Sequence, residues 1–219
     1  TNRLKLELDA IKKNGYASLY MIWRHIVKKS WDEGYPTGIG SAAGCSLVAF
    51  LCGITEINPL SKELGGYQLP PEVFMGLQLD KEPIIWSRVA SNIKKELQEC
   101  IDKIPGVGDI CRAGRISLSS EENGGDTHPG IIVCPEDEEL ISFTPLRRSR
   151  SEDIVTTEFD CFGLDETLLR LDLLEDTQYD MFYDLQEKTG VKFEDIPLND
   201  EKVLKALCDE TAEEMKVAN

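Results

Sequence analysis

Residues 34–60 read GYPTGIGSAAGCSLVAFLCGITEINPL, and the reading of this stretch decides the fold. Glycines at 38, 40 and 44 alternate with Ser41, Ala42, Ala43 and Ser46, and an apolar run over 47–51 follows at once. Small residues let a backbone approach another group closely, and successive N–H groups opening a helix form a cradle for anions. One reading is therefore a phosphate loop built from Gly38, Gly40, Ser41, Gly44 and Ser46. The other is a close-packed loop entering a buried helix. The local pattern is compatible with both, because glycine-rich loops arise for either reason.

The flanks narrow the choice. Upstream stands IKKNGYASLYMIWRHIVKKSWDEGY over 11–35; downstream stand THPGIIVCP over 127–135, then ISFTPL, TTEFD and LLRLDLLEDTQYDMFYDLQEKTG, ending at Gly190. In this order the segments resemble the palm of the C-family replicative DNA polymerases, and most closely the PolC type of DNA polymerase III alpha subunit. The resemblance runs, with gaps, from about Arg3 to Leu207. It implies an α/β fold: a mixed sheet with flanking helices, of the nucleotidyltransferase-like palm type. It also implies DNA replication as the setting, a glycine-serine loop for an incoming nucleoside triphosphate, and three aspartates holding two metal ions, with Mg expected here only if activity or nucleotide binding remains.

The departures from that pattern bear on chemistry. The family loop reads roughly G-S-R-G-S-x-G-S-S. Gly38, Gly44 and Ser46 match, but Gly40 stands at the arginine, and Ser41 and Ala42 stand at the next Gly and Ser. Loss of a guanidinium removes a rigid fork of donors suited to phosphate. The family also carries P-D-I-D-L-x-F, with two aspartates on one face of a strand. Here Pro83 to Val89 reads PIIWSRV, so Ile84 and Trp86 hold the aspartate positions. The third aspartate is retained as Asp172 in Leu171-Asp172-Leu173. Two-metal phosphoryl transfer needs carboxylates to clamp both ions. Asp80 and Glu82 lie two apart just upstream and are substitute metal ligands if the strand shifts register, or solvated turn residues if it does not.

At 219 residues the chain can bury a sizeable core, and a single palm-like domain over 1–219 is expected. Its 41% hydrophobic and 29% charged residues are ordinary for a globular protein. Seven cysteines, an odd number with no C-x-x-C pair, point to reduced thiols. The PolC palm has a zinc knuckle after its N-P-L; here Asn58-Pro59-Leu60 is followed by SKELGGYQLPPE without cysteine, so no zinc is expected. The run 39–54 is too short and too rich in small residues for a membrane span, and a cytoplasmic protein is the simplest expectation.

Charge is unevenly placed. Residues 1–118 carry a net +2 and residues 119–219 a net −18, together −16. Affinity for nucleic acid comes largely from Lys and Arg on phosphates, so an acidic half opposes it unless basic groups share a face. Arg24, Lys28 and Lys29 on one helix, and Arg147, Arg148 and Arg150, are the candidates; the alternative is a solvated surface without a partner. His128, in Thr127-His128-Pro129-Gly130, matches the histidine of the family's T-G-x-H-P-G-G and joins the weak nucleic-acid candidates, although a lone turn histidine is commonly structural.

Periodicity predicts helices over 3–13, 17–31, 42–52, 92–104, 176–188 and 200–217, the last with Asp200 as N-cap. Strands are predicted over 73–79, 84–89, 130–134, 141–144, 154–160 and 168–174, with 84–89 and 168–174 adjacent. Arg112-Ala113-Gly114 resembles the family's R-A-G, after which the thumb is inserted; here a short polar link over 119–126 closes the gap. Fingers, exonuclease and phosphoesterase segments have no counterpart in these residues. Three functions compete: a palm that no longer polymerises and binds nucleotide, DNA or a replication protein; an active nucleotidyltransferase using Asp172 with substitute carboxylates; and a protein-interaction scaffold.

Overall fold

A single mixed β-sheet organises the described part of the chain. The computed structural model describes residues 2–61, 86–101, 103–114, 127–150, 153–164, 167–197, 200–202 and 205. Within them lie the strands β1 (Gly38–Ile39), β2 (Trp86–Val89), β3 (Val107–Gly114), β4 (Thr127–Pro135), β5 (Leu146–Arg148), β6 (Val155–Asp160) and β7 (Leu169–Glu175). They form one seven-stranded mixed sheet in the order β1-β2-β7-β4-β3-β6-β5. β2 runs parallel to β7, and β3 parallel to β6; the other neighbours are antiparallel. The α/β class and the adjacency of β2 and β7 are thus as the sequence predicts.

The helices are α1 (Asn2–Lys13), α2 (Ala17–Asp32), α3 (Leu47–Leu51), α4 (Lys94–Ile101), α5 (Cys161–Leu164) and α6 (Thr177–Thr189). In α2 the buried residues Leu19, Tyr20, Ile22, Trp23, Ile26, Val27 and Ser30 recur three and four apart, giving one apolar stripe. That stripe packs with Leu97 and Ile101 of α4 onto Val89, Ile131, Val133, Leu171 and Leu173 of the sheet. Burying each large side chain contributes about 1.5–3 kcal/mol, so this layer dominates the fold. A smaller cluster on the opposite face joins Cys111, Ala113, Ile132, Cys134, Leu140, Leu164 and Leu168. β4 is therefore covered on both sides, which explains its unbroken apolar run Ile131 to Cys134. Asp176 caps α6, its Oδ1 accepting from the Gln178 N–H at 3.0 Å, and Gly190 ends the helix at φ 70°.

Several predicted elements need correction. The helix over 42–52 is a 3-10 turn, Ser41–Cys45, followed by an extended Ser46 and then α3. The break arises because the Leu47 and Val48 N–H groups donate to a side chain, Glu7, in place of carbonyls one turn back. The helix over 92–104 divides into a 3-10 turn, Ser91–Ile93, and the shorter α4. The strand over 141–144 is a 3-10 turn, Leu140–Ser142, closed by the Phe143 and Thr144 N–H groups on the Leu140 carbonyl. β1, β3 and β5 were not among the predicted strands. The segment 73–79 and the link 119–126 lie outside the described residues, as does most of 200–217; within the last, Asp200 Oδ1 accepts from the Lys202 N–H at 2.8 Å. Cys45, Cys52, Cys100, Cys111 and Cys134 are free thiols. Among the described residues no helix is long and apolar enough to cross a membrane.

Candidate nucleotide and metal site

On β7, Leu171 and Leu173 turn into the helix-covered core, which places Asp172 on the other face. Register pairs Asp172 with Trp86 of β2 on one side and Gly130 of β4 on the other. Paired residues on neighbouring strands share a face, so Trp86 and Asp172 lie on one face of the sheet. A Cβ at Gly130 would lie 2.5 Å from Asp172 Oδ1, so glycine leaves room for that side chain. Arg170 Nε lies 3.4 Å from Asp172 Oδ1, and both side chains are nearly buried.

Trp86 also reaches the glycine loop. The Gly40 N–H donates to the Trp86 carbonyl at 2.9 Å. A Cβ at Gly40 would fall 2.1 Å from the indole ring, so the ring lies directly on this glycine. The Arg88 guanidinium stands 5.8 Å from the Trp86 ring centroid, a cation–π distance, and pairs with Asp176 at 2.7 Å. Asp176 is held below the ordinary aspartate range, first by the Gln178 N–H and then by Arg88. At Gly38 a Cβ would meet the Tyr179 hydroxyl at 1.9 Å. Two aromatic side chains thus press on the first two loop glycines, while Gly44 abuts Ile57.

The downstream end of the loop is fixed by a residue the sequence reading missed. Glu7 of α1 is fully buried. Its carboxylate accepts from Leu47 N–H at 3.1 Å, Val48 N–H at 3.0 Å and the Ser46 hydroxyl at 3.1 Å, and it pairs with Arg3 at 2.6 Å. Ser46 in turn accepts from Ala49 N–H at 3.0 Å and lies 3.3 Å from the Tyr20 hydroxyl, which burial pushes up in pKa. A signal was present: Leu4, Glu7 and Ile11 form one helical stripe, so Glu7 puts a charge on the apolar side of α1.

The other candidates are dispersed. Arg24 and Lys28 are exposed on α2; Lys28 and Lys29 pair with Asp32 and Glu33. Arg147 and Arg148 lie on the edge strand β5, bridged to Glu158 at 3.3 Å and Asp153 at 2.7 Å. His128 lies on β4 two residues before Gly130. Asp80, Glu82 and Ile84 lie outside the described residues. No group of three or more His, Cys, Asp or Glu among the described residues is placed to hold a metal ion. A carboxylate paired to arginine, with an indole as its register partner, does not fit a two-metal centre.

Comparison with known proteins bears on this geometry. The family model of the bacterial DNA polymerase III alpha NTPase domain matches residues 1–118. The chain belongs to the bacterial DNA polymerase III alpha family. It is similar to the DNA polymerase III PolC-type of Caldanaerobacter subterraneus, with 29% identity over 92% of the chain and 20% of that protein. The PolC-type proteins of Oceanobacillus iheyensis and Clostridium perfringens are 28% and 27% identical, each over 19% of the relative and over 93% and 92% of this chain. The chain thus spans about a fifth of the length of the curated relatives it matches. The first of these matches extends over 275 positions although it takes in only 92% of the 219 residues here, so that relative carries internal segments this chain lacks.

Proposed function

We propose that this chain is a PolC-type palm that does not carry out nucleotidyl transfer and serves DNA replication as a binding scaffold. The observation that carries the reading is the pairing of Trp86 with Asp172, reinforced by Arg170 on the same carboxylate. Metal-assisted phosphoryl transfer requires carboxylates that leave lone pairs to two cations. An indole supplies no lone pair, and a guanidinium repels a cation. The Mg of the polymerases would find little to hold it here. The indole on Gly40 also opposes close approach of a triphosphate to the loop. These features support a protein-interaction or nucleic-acid role within one domain, cytoplasmic as replication proteins are, in preference to nucleotide capture.

Primer extension on a primed template, with all four deoxynucleotides and Mg²⁺ or Mn²⁺, tests the proposal. No incorporation is expected. Template-dependent extension that disappears in Asp172→Ala would overturn it. Calorimetry with a deoxynucleoside triphosphate separates the binding roles: affinity no better than about 1 mM, or about −4 kcal/mol, fits the scaffold, whereas micromolar affinity would return the loop to nucleotide binding.

A further inference from the structure

β3 overhangs one of its neighbours. β4 pairs with it from Val107 to Gly114, but β6 pairs with it only at Arg112 and Gly114. At the fork the Cys111 thiol donates to the Val155 carbonyl at 3.4 Å, and β6 begins there. Upstream of Cys111, no strand among the described residues pairs with the side of β3 that faces away from β4. A cavity of about 450 Å³ opens at this edge, with Asp109, Ile110, Cys111, Ile131, Leu140 and Val155 in its wall. Ile110 and Ile131 pack with the main core, whereas Cys111 and Leu140 belong to the cluster on the opposite face. A cavity walled by both faces lies in the plane of the sheet. It therefore occupies the place a strand would take beside β3 if β6 began about four residues earlier.

We propose that this notch receives an extended peptide of a partner protein, which adds a short strand to the free edge of β3. The overhang over 107–110 leaves room for about three or four residues at roughly 3.3 Å each. In an antiparallel pair, alternate residues direct their N–H and C=O groups away from the partner strand. The overhang thus offers main-chain donors and acceptors, which supply affinity in strand addition, while side-chain pockets supply specificity. The walls on both faces are mainly apolar, so the inserted residues are apolar on both sides, as in a strand buried within a sheet. Charge selects what flanks them. Asp109 is exposed in the wall, and Asp109, Glu138 and Asp137 all act on the Cys134 thiol at this end of the sheet. Of the basic groups nearby, Arg147 and Arg148 are bridged to Glu158 and Asp153, and Arg112 is likewise engaged. A peptide with Lys or Arg beside its apolar residues fits the carboxylates. A second copy of this chain, with net charge −16, meets them with like charge. β3 is two strands from β7, so the notch stands whether or not the palm polymerises.

The probe is the peptide acetyl-Lys-Val-Ile-Val-Lys amide, with the same peptide N-methylated at its Val and Ile residues as control. Amide hydrogen exchange of the whole chain, read by mass spectrometry, is expected to slow at 107–111 when the probe is added and to stay unchanged in α6. Titration calorimetry is expected to show binding of the probe and none of the methylated control, which keeps the side chains and loses the main-chain donors. Val155 is half exposed on the rim, so Val155→Trp blocks the notch from outside the core and is expected to weaken binding at least about tenfold. Leu146→Lys, at another exposed rim position, sets a like charge beside the probe's lysines and is also expected to weaken it. Binding that persists in the methylated peptide, or unchanged in both variants, overturns the proposal. So does exchange at 107–111 that fails to slow at about 1 mM probe. A concentration-dependent dimer that protects the same amides gives the edge to a second copy and equally overturns it.

Discussion

Replacing Glu7 by alanine tests the main tertiary link between α1 and the glycine loop. Four contacts disappear together: two backbone N–H groups at 3.0–3.1 Å, the Ser46 hydroxyl at 3.1 Å and the Arg3 guanidinium at 2.6 Å. Arg3 is left with its side chain only 12% exposed. Breaking a buried ion pair from one side destabilises by about 3–5 kcal/mol; Arg3 keeps its bond to the Cys45 carbonyl but loses its counter-charge. The orphaned N–H groups of Leu47 and Val48 act in the same direction. For a domain of this size, about 2–4 °C per kcal/mol, the expected fall in Tm is roughly 6–20 °C. Glu7→Gln keeps an acceptor and loses the charge, so its loss should be about half as large. Urea unfolding followed by circular dichroism measures both, and the double variant with Arg3→Met reads the coupling. A coupling below about 0.5 kcal/mol, or a Glu7→Ala loss below about 1 kcal/mol, would refute the claim that this carboxylate anchors the loop.

Other substitutions follow from close contacts and charges. Gly40→Ala drives a methyl into the Trp86 ring at 2.1 Å and should destabilise by about 1–3 kcal/mol; in a Trp86→Leu background most of that loss should vanish in denaturant titration. Asp176 has a depressed pKa, set by Gln178 N–H and Arg88. A depressed carboxylate contributes stability above the unfolded value, about 3.9, and loses it as pH falls through the lower folded value. Melting curves between neutral pH and pH 2 should therefore show a smaller acid-side decline in Asp176→Asn than in the parent. Burial pushes the Cys111 thiol up to about 11, so a thiol reagent at pH 8 should label it more slowly than a model thiol, and only unfolding should bring the rates together.

The elements most legible from sequence were those whose signals are local. The stripe in α2, and the periodicity that predicted a helix over 176–188 where α6 is found, lie within their own helices. The β2–β7 adjacency was legible for a different reason: the family pattern requires its carboxylates to meet, and Trp86 with Asp172 inherits the register. What escaped depends on contacts distant in sequence. Glu7 acts 40 residues from Leu47, and Tyr179 explains Gly38 from a helix at the far end of the chain. β1 has two residues and β5 three, too short for alternation to register. The 141–144 run looked strand-like because Ile141 and Phe143 alternate with polar neighbours, yet Ile141 is exposed and Leu140 carries the burial.

The position of β7 has a consequence for how the protein comes into being. Residue 86 has its parallel partner at residue 172, and β7 is the strand that joins β1 and β2 to the rest of the sheet. During translation the glycine strand and β2 leave the ribosome long before that partner does. Between residues 89 and 175, at roughly 5–20 residues per second, some 4–17 s pass. For that interval β2 has one free edge and the core beneath α2 has no Leu171 or Leu173 to close it. The half of the chain that carries the glycine loop waits, unfinished, for the half that carries the acidic charge.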